Sequence, residues 1–286
     1  MKNAYRFIPL LALFAFLSAC QDHDLASTIV SQNDLPLSSA QESPVNLSPA
    51  FGSANVSYDK STRKLTYLIT YNNLTGNPTM GHIHASAPRG KNAGVLIPFT
   101  NLPTSTSGTI IGTADIAPEQ EEDLLNGLFY INLHTAQHQG GEIRGQIEFY
   151  SQPFIVSRKG LPLDPAQADQ TREPLAIGSM DVSYNKRTKR LSYYITWDNM
   201  PYLIRILIGG PAAKGTSGPD KVTIAAYYDG VTAKARQAMS GSVIIDESTF
   251  KESELLERLY YVRFENFVGR TTPWIPSTPI KGQIEF

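Results

Sequence analysis

The sequence predicts an all-β protein with two tandem antiparallel domains, each a β-sandwich or partly open barrel with one short helix. Three observations lead to this prediction. Apolar residues alternate with polar ones over short segments, as in strands that bury one face. Turn-forming residues separate these segments at short intervals, a spacing typical of sandwiches and barrels. The same pattern also occurs twice along the chain, which indicates an internal repeat.

The N-terminal residues resemble the signal peptide of a bacterial lipoprotein. Two basic residues precede an apolar run from Phe7 to Leu17. A run of about eleven residues is too short to cross roughly 30 Å of hydrocarbon, but it suits a signal peptide. The run is closed by the tetrapeptide LSAC at residues 17–20, which fits the lipobox of that class. We therefore predict a signal peptide at residues 1–19 and, at Cys20, a membrane anchor of acyl chains such as palmitate.

The cysteine count and the net charge exclude several classes of protein. Cys20 is the only cysteine among 286 residues, so the chain has no internal disulfide, no cysteine-based metal cluster and no other cysteine nucleophile. The 25 basic and 26 acidic residues give a net charge of −1, which provides no basic surface to attract nucleic acid. We expect the membrane, through the lipid, to be one partner and nucleic acid not to be one.

Composition divides the exported part of the chain into four segments. Residues 20–47 are rich in Ser, Asp, Gln, Asn and Pro, which predicts a flexible tether. The repeat then gives a first copy, residues 48–150, and a second copy, residues 175–286. Residues 151–174 carry several prolines and charges, which predicts a linker. Because each copy has its own pattern, we expect residues 48–150 to fold alone.

The two copies share strand and turn signals. Both end in the pentapeptide GQIEF, at residues 145–149 and 282–286. Turn-forming residues at 59–61 and 185–187 predict a hairpin in each copy. After each turn, apolar residues recur at every second position, which predicts a strand with one buried face. These positions are Leu65, Tyr67 and Ile69 in the first copy and Leu191, Tyr193 and Ile195 in the second.

Each copy also contains one predicted helix. Pro118 comes first, acidic residues follow it, and Gly127 closes the segment, an order typical of a short helix. In the second copy, Thr249 and Glu252 form a candidate capping box at the equivalent place.

Three motifs in the first copy occur in the order found in CHRD domains, a family first described in chordin and common in exported bacterial proteins. They are GHIHASAPRG at residues 81–90, GLFYINLHT at 127–135 and GGEIRGQI at 140–147. The first copy therefore resembles a CHRD domain over residues 48–149. The resemblance implies an extracellular β module without an assigned general activity, so it bears on fold and compartment more than on a reaction.

The second copy resembles a degenerate CHRD domain. Its closing motif is present, with Lys281 in place of Arg144. The histidines of the first copy are missing from it. Leu207, Gly209 and Glu265 stand at the positions of His82, His84 and His134.

The histidines form the candidate site. All five lie in the tether or the first copy. In a strand, His82 and His84 point to the same face with Cα atoms about 6.5 Å apart. Two such imidazoles can share one copper or zinc ion, whose bonds to nitrogen are about 2.0–2.1 Å long. His134 ends another predicted strand and would complete the site, with His138 in the loop after it. The histidine strand also resembles, weakly, the copper-binding strand of copper/zinc superoxide dismutases.

A structural interpretation of these histidines stays open. Neutral imidazole donates one hydrogen bond and accepts another, so His82, His84 and His134 could instead hold loops together. The second copy lacks all three, which favours a binding site, although local repacking would produce the same difference.

Other residues carry weaker signals. Glu142 and Arg144 alternate on one face of a predicted strand, and we interpret them as a surface ion pair rather than a catalytic dyad. Trp274 lies in a proline-containing loop, where it would anchor a protein or glycan partner or else plug the end of its own sandwich. The chain has no nucleophile-elbow, phosphate-loop or zinc-protease motif.

These observations favour a lipid-anchored, non-catalytic binding or structural module of the cell envelope. The alternative is a protein that binds copper or zinc through its histidines and has a redox-related role. Gln21, rather than an aspartate, follows the lipidated cysteine, which predicts the outer membrane under the sorting rule of some Gram-negative bacteria. Asp22 and Asp24 resemble acidic surface-export tags, which extends the expectation to the cell surface.

Overall fold

The computed structural model describes residues 27–168, 176–200, 203–226, 237–268, 275–278 and 280–286. Within these residues the chain consists mainly of antiparallel strands with two α-helices, and the predicted all-β fold is confirmed. Two separate clusters of buried apolar side chains form two cores, one in each copy of the repeat.

The first copy is built on one eight-stranded sheet that folds over its own core and is nearly closed. The strand order is β5-β4-β7-β8-β1-β2-β3-β6, so β1 joins two layers of the barrel-like sheet. The elements are β1 Ile29–Ser38, β2 Phe51–Asp59, β3 Lys64–Asn72, β4 Met80–His84, β5 Val95–Pro98, β6 Gly108–Asp115, α1 Pro118–Leu125, β7 Phe129–His134 and β8 Ile143–Ile147.

The second copy repeats this order of elements in two sheets. One sheet has the order β14-β11-β10-β9, and the other has the order β13-β12-β15-β16 with β17 also paired to β15. A bridge between Asp164 and Lys281 corresponds to the pairing of Ser38 with Arg144 in the first copy. The elements are β9 Ile155–Leu163, β10 Ile177–Asn185, β11 Arg190–Asp198, β12 Leu203–Gly209, β13 Asp220–Ala226, β14 Ala238–Ile244, α2 Glu252–Leu256, β15 Tyr261–Val268, β16 Ile275–Ser277 and β17 Lys281–Gln283.

The predicted hairpins are present in both copies, between β2 and β3 and between β10 and β11. Each turn is closed by a polar side chain that accepts hydrogen bonds from the residues after it. Asp59 accepts from the backbone N–H and the hydroxyl of Ser61, which, with further hydrogen bonds, lowers the pKa of Asp59 to about 2. Asn185 accepts in the same way from the backbone N–H groups of Arg187 and Thr188.

The tether prediction is wrong for its C-terminal part, because residues 29–38 form β1. This strand pairs with β2 along its length and lies inside the sheet, with Leu35 and Leu37 buried in the core. A bulge between Gln32 and Leu35 interrupts the pairing and shifts the phase of the buried positions. The bulge and the polar residues around it conceal the alternation that would identify a strand.

The linker prediction is wrong for a similar reason. Residues 155–163 form β9, which pairs with β10, and Leu161 and Leu163 are buried in the second core. The register shifts between Met180 and Val182 of the partner strand, so β9 also lacks a continuous alternation. Both copies therefore begin earlier in the chain than the sequence pattern indicates.

Both predicted helices are present at the expected positions, but the predicted cap of the second helix is wrong. Helix α1 begins at Pro118, and Gly127 follows it with a φ of +75°, as the sequence predicts. The capping box of Thr249 and Glu252 is absent, because α2 begins only at Glu252 and no side chain caps it. The backbone N–H of Thr249 instead donates to the carboxylate of Asp246, which closes the preceding turn.

The two copies are in contact. The hydroxyl of Ser242 on β14 donates to the carbonyl of Arg89 in the first copy over 3.3 Å. The side chain of Asn185 donates to that of Asn126 over 3.1 Å. Arg89 is buried and pairs with the carboxylate of Glu148 over 3.0 Å. These bonds attach the second copy to a loop and a helix end of the first.

Candidate functional site

Three histidines lie on the face of β4 and β7 that points away from the first core. His82 and His84 are two residues apart on β4, while the alternate residues Gly81 and Ile83 are buried on the core side. β4 pairs with β7, and in this register Met80 lies opposite His134. The strand pairing therefore brings together histidines that are about fifty residues apart in the sequence.

The imidazole rings are close enough to share one ion. The Nδ1 atom of His82 lies 3.3 Å from the Nε2 atom of His134. The ring centroid of His82 lies 5.3 Å from that of His84 and 5.1 Å from that of His134. One ring nitrogen from each of the three residues lies within 4.8 Å of the other two. A metal ion between them would need only small movements of the rings.

Backbone carbonyls fix the tautomers of two of the rings. The Nδ1 atom of His84 lies 3.1 Å from the carbonyl oxygen of Ala93, and that of His134 lies 2.9 Å from the carbonyl oxygen of Gln139. A carbonyl oxygen only accepts, so both Nδ1 atoms carry the proton. In each neutral ring the Nε2 atom is then the acceptor. Metal-binding histidines show the same arrangement, with the second nitrogen donating to a carbonyl or carboxylate.

The lone pair of His84 has no partner. Its Nε2 atom is buried and makes no hydrogen bond, which is costly for a polar atom unless something else satisfies it. The Nε2 atom of His134 faces only the ring of His82. One ring nitrogen from each of the three histidines therefore lies in the same small region.

The environment disfavours the charged form of all three histidines. Burial is the main cause of a pKa below the ordinary value in His82, His84 and His134. The neighbouring imidazoles lower the pKa of His82 and His84 further, because two positive charges so close together repel each other. The hydrogen bonds that His84 and His134 donate to the carbonyls of Ala93 and Gln139 raise the pKa of these two rings and offset the effect of burial only in part. Neutral imidazole is the form that binds a metal.

Tyr130 and Arg144 hold the ring of His84 in place. The ring of Tyr130 stacks on His84 with centroids 4.7 Å apart and an angle of 1° between the planes. The guanidinium carbon of Arg144 lies 3.4 Å from the centroid of the same tyrosine ring. The hydroxyl of Tyr130 also accepts a hydrogen bond from the backbone of Ala93, whose carbonyl orients His84. The site thus rests on a rigid stack of side chains.

Glu42 lies beside the site, although the sequence analysis did not single it out. The amide of Asn132 donates to its carboxyl group over 3.4 Å, and Asn132 pairs with His82 across the strands. Burial raises the pKa of Glu42 to about 8. Gly141 closes over this pair, and a Cβ atom there would lie 2.6 Å from the side chain of Asn132 and 2.7 Å from that of Glu42. Glu42 was hidden because it belongs to the segment predicted as a tether.

Other predicted residues are placed differently or lie outside the described residues. His138 is not a member of the group formed by the three histidines within the described part of the chain. Its backbone instead exchanges hydrogen bonds with Thr135 in the turn after β7. Cys20 and Trp274 lie outside the described residues, so their roles stay predictions.

The surface ion pair of Glu142 and Arg144 is a wrong prediction, because both side chains are buried. Glu142 accepts hydrogen bonds from Ser48, Thr75 and Thr135 rather than from Arg144. This face of β8 is covered by residues from distant parts of the chain, which the alternation within the strand does not reveal.

In the second copy an ion pair occupies the positions of Met80 and His134, while Leu207 and Gly209 take the positions of His82 and His84. β12 pairs with β15 so that Arg205 lies opposite Glu265, as Met80 lies opposite His134 in the first copy. Glu265 pairs with both Arg205 and Arg263. The stack beneath the site is retained, since the ammonium group of Lys281 lies 4.2 Å from the centroid of Tyr261. The same framework is therefore built without imidazoles.

Comparison with known proteins gives one family match, which covers part of the chain. The model of the CHRD domain family matches residues 34–147, from within β1 to the end of β8. No curated protein and no solved structure was found to match the chain. Among the described residues, none of the helices is both long and apolar enough to span a bilayer.

Proposed function

We propose, from the CHRD domain at residues 34–147, that the chain is a lipid-anchored binding or structural module of the bacterial cell envelope. The domain match supports a binding or structural role rather than catalysis. The lipobox at residues 17–20 supports attachment through Cys20 and a position on the outer side of a membrane. We further propose that the second copy is a degenerate CHRD domain, because its strands follow the same order.

A second function, metal binding, is favoured by the geometry of the three histidines. The observation that carries it is the buried, unpartnered Nε2 atom of His84, together with the grouping of one ring nitrogen from each of His82, His84 and His134 within 4.8 Å of one another. Imidazole suits both copper and zinc, so we propose that the first copy binds one ion of Cu²⁺ or Zn²⁺. A redox reaction is not part of the proposal, since no acidic bridging ligand belongs to the group.

Calorimetric titration of the soluble protein, without residues 1–20, tests metal binding. We expect about one Cu²⁺ or Zn²⁺ per chain, as a three-histidine site with one open position would hold. Affinity should fall as the pH decreases, because protons compete for the imidazoles. Replacing both His82 and His84 with alanine should abolish binding.

Two further variants test whether the bound metal is held by the three histidines. His138→Ala removes a histidine of the same copy that lies outside the group, so it should bind metal like the wild type. His82→Ala removes the half-buried member alone and should weaken binding while the cooperative thermal melt is preserved. Equal metal uptake by the wild type and the His82/His84 double variant would contradict the proposal.

A further inference from the structure

We propose that Met80 is a fourth ligand of the three-histidine site and makes it selective for copper, above all Cu(I), over zinc. This inference rests on the proposed metal binding and adds the identity of the metal.

The position of Met80 on β4 is the first observation. The strand reads Met80-Gly81-His82-Ile83-His84, so the methionine and the two histidines lie at alternate positions. Side chains at alternate positions of a strand share a face, and their Cα atoms are about 6.5 Å apart. Gly81 and Ile83 occupy the buried face. Met80 therefore extends the row of ligands along one strand.

The position of Met80 relative to β7 is the second observation. Met80 pairs directly with His134 across the two strands. Cβ atoms of directly opposed residues in an antiparallel pair lie about 4.5–5.5 Å apart. A methionine side chain is longer than this separation, and its sulfur can reach an ion bound to the Nε2 atom of its partner.

The exposure of Met80 is the third observation. Its side chain is 45% exposed, whereas Met180, Met200 and Met239 are buried in the second core. The side chain is unbranched and has three rotatable bonds, so it adapts easily to a new contact. Met80 is therefore not fixed by core packing, and its thioether is free to turn toward the histidines.

The chemistry of the thioether determines which metal gains from it. Imidazole nitrogen binds zinc and copper alike, but a thioether sulfur is a soft ligand that favours Cu(I). Adding one such ligand to three imidazoles would stabilise bound Cu(I) while contributing little to bound zinc. The second copy has Arg205 where the first has Met80, so its cationic side chain replaces the sulfur just as Glu265 replaces His134.

The test compares Cu(I) and zinc affinities in the soluble chain without residues 1–20. Cu(I) affinity is measured by competition with bicinchoninate under anaerobic conditions, and zinc affinity is measured by calorimetry. Met80→Leu removes the sulfur and keeps the volume. We expect this substitution to lower Cu(I) affinity at least about tenfold and to leave zinc affinity nearly unchanged. Substitution of residues that only orient the ligands of a metal site already lowers metal affinity by about this factor. Met200→Leu, the same substitution in the second core, is the matched control.

A spectroscopic measurement separates ligation from an indirect effect. In protein labelled with ¹³C at the methionine methyl groups, Cu(I) should shift the resonance of Met80 and leave the other three unmoved. A Met80→Leu variant with wild-type Cu(I) affinity, together with an unmoved Met80 resonance, would overturn the role of Met80 and leave the three-histidine site intact. A wild type that binds neither zinc nor Cu(I) would overturn the proposed metal binding itself.

Discussion

The carboxylate of Glu142 is completely buried and connects three other segments of the first copy. It accepts hydrogen bonds from the hydroxyls of Ser48 and Thr135, each over 2.6 Å, and from the backbone N–H and hydroxyl of Thr75 over 2.8 and 2.9 Å. Burial alone would raise the pKa of Glu142, but these hydrogen bonds outweigh it and hold the pKa below its ordinary value. The ionised form is therefore favoured by folding.

Replacing Glu142 with glutamine should destabilise the soluble chain by about 2 kcal/mol at pH 7, the size of a hydrogen-bonding contribution from a charged group. Because folding lowers the pKa of Glu142, this contribution is present above about pH 4.5 and is lost as the pH falls through the folded-state value. The difference between wild type and variant, measured by urea denaturation, should thus shrink below about pH 4.5.

Glu119→Gln, on the exposed side of α1, is the control for this experiment and should change stability little at either pH. If Glu142→Gln unfolds at the wild-type urea concentration at pH 7, the four hydrogen bonds do not stabilise the fold as proposed.

The sequence predicts the grouping of His82 with His84, but it does not predict how His134 joins them. The alternation within one strand places His82 and His84 on one face without any knowledge of the fold. The approach of His134 depends on the pairing of β4 with β7, which are separated by more than forty residues of chain. The carbonyls of Ala93 and Gln139 belong to loops, whose paths no periodicity describes. The tautomers, and with them the unpartnered nitrogen of His84, therefore emerge only from the structure.

At the scale of elements, β1 and β9 are the strands that the sequence analysis missed. Both have a break in alternation where the pairing register shifts. They nevertheless share a signal, because Leu35-Pro36-Leu37 in β1 corresponds to Leu161-Pro162-Leu163 in β9. The carbonyls of Pro36 and Pro162 both accept a hydrogen bond from a glutamine side chain, that of Gln41 or Gln167. The internal repeat therefore extends upstream into both strands, and this shared tripeptide is the sequence signal that they carry.

The position of β1 determines which fragment of the first copy folds. β1 lies between β8 and β2, so its removal would divide the sheet and expose the core that Leu35 and Leu37 help to fill. We expect residues 27–150 to give a cooperative thermal melt and a β-rich far-UV spectrum. Residues 48–150, the boundary that the sequence pattern predicts, should stay largely unfolded.

A synthetic peptide of residues 27–47 provides the control, since it should restore folding when mixed with residues 48–150. Cooperative folding of residues 48–150 alone would show that β1 is dispensable and that the shorter boundary is correct.

At the scale of the whole molecule, the proposed anchor at Cys20 is close in sequence to the first copy, which carries the candidate site. β1 begins at Ile29, nine residues after Cys20. A fully extended chain spans at most about 3.6 Å per residue, so the start of β1 would lie within roughly 30 Å of the lipid. The second copy is attached to the first through hydrogen bonds to Arg89 and Asn126.

Replacing Cys20 with serine should abolish the anchor, because the acyl chains are attached through its sulfur. The variant should accumulate as uncleaved precursor and incorporate no radiolabelled palmitate. Ser18→Ala keeps a small residue in the lipobox and should be lipidated like the wild type. Palmitate in the Cys20→Ser protein would contradict lipidation at this residue.

Membrane fractionation of the same strains tests the location. The wild type should be found in the outer membrane, whereas Gln21→Asp should shift the protein to the inner membrane under the sorting rule. A wild type found only in inner-membrane fractions would contradict the proposed location.

The pairing of β1 with β8 also determines when the first copy can finish folding. Ser38 meets Arg144 in this pairing, so the contact joins residues that are separated by nearly the whole copy. Contacts of such long sequence separation raise the contact order, and β proteins of high contact order fold in milliseconds to seconds rather than microseconds. During the export that we propose, the N-terminal strand emerges first but its second partner emerges last. The copy would thus remain unfolded while most of it crosses the membrane, and it would close only when β8 arrives.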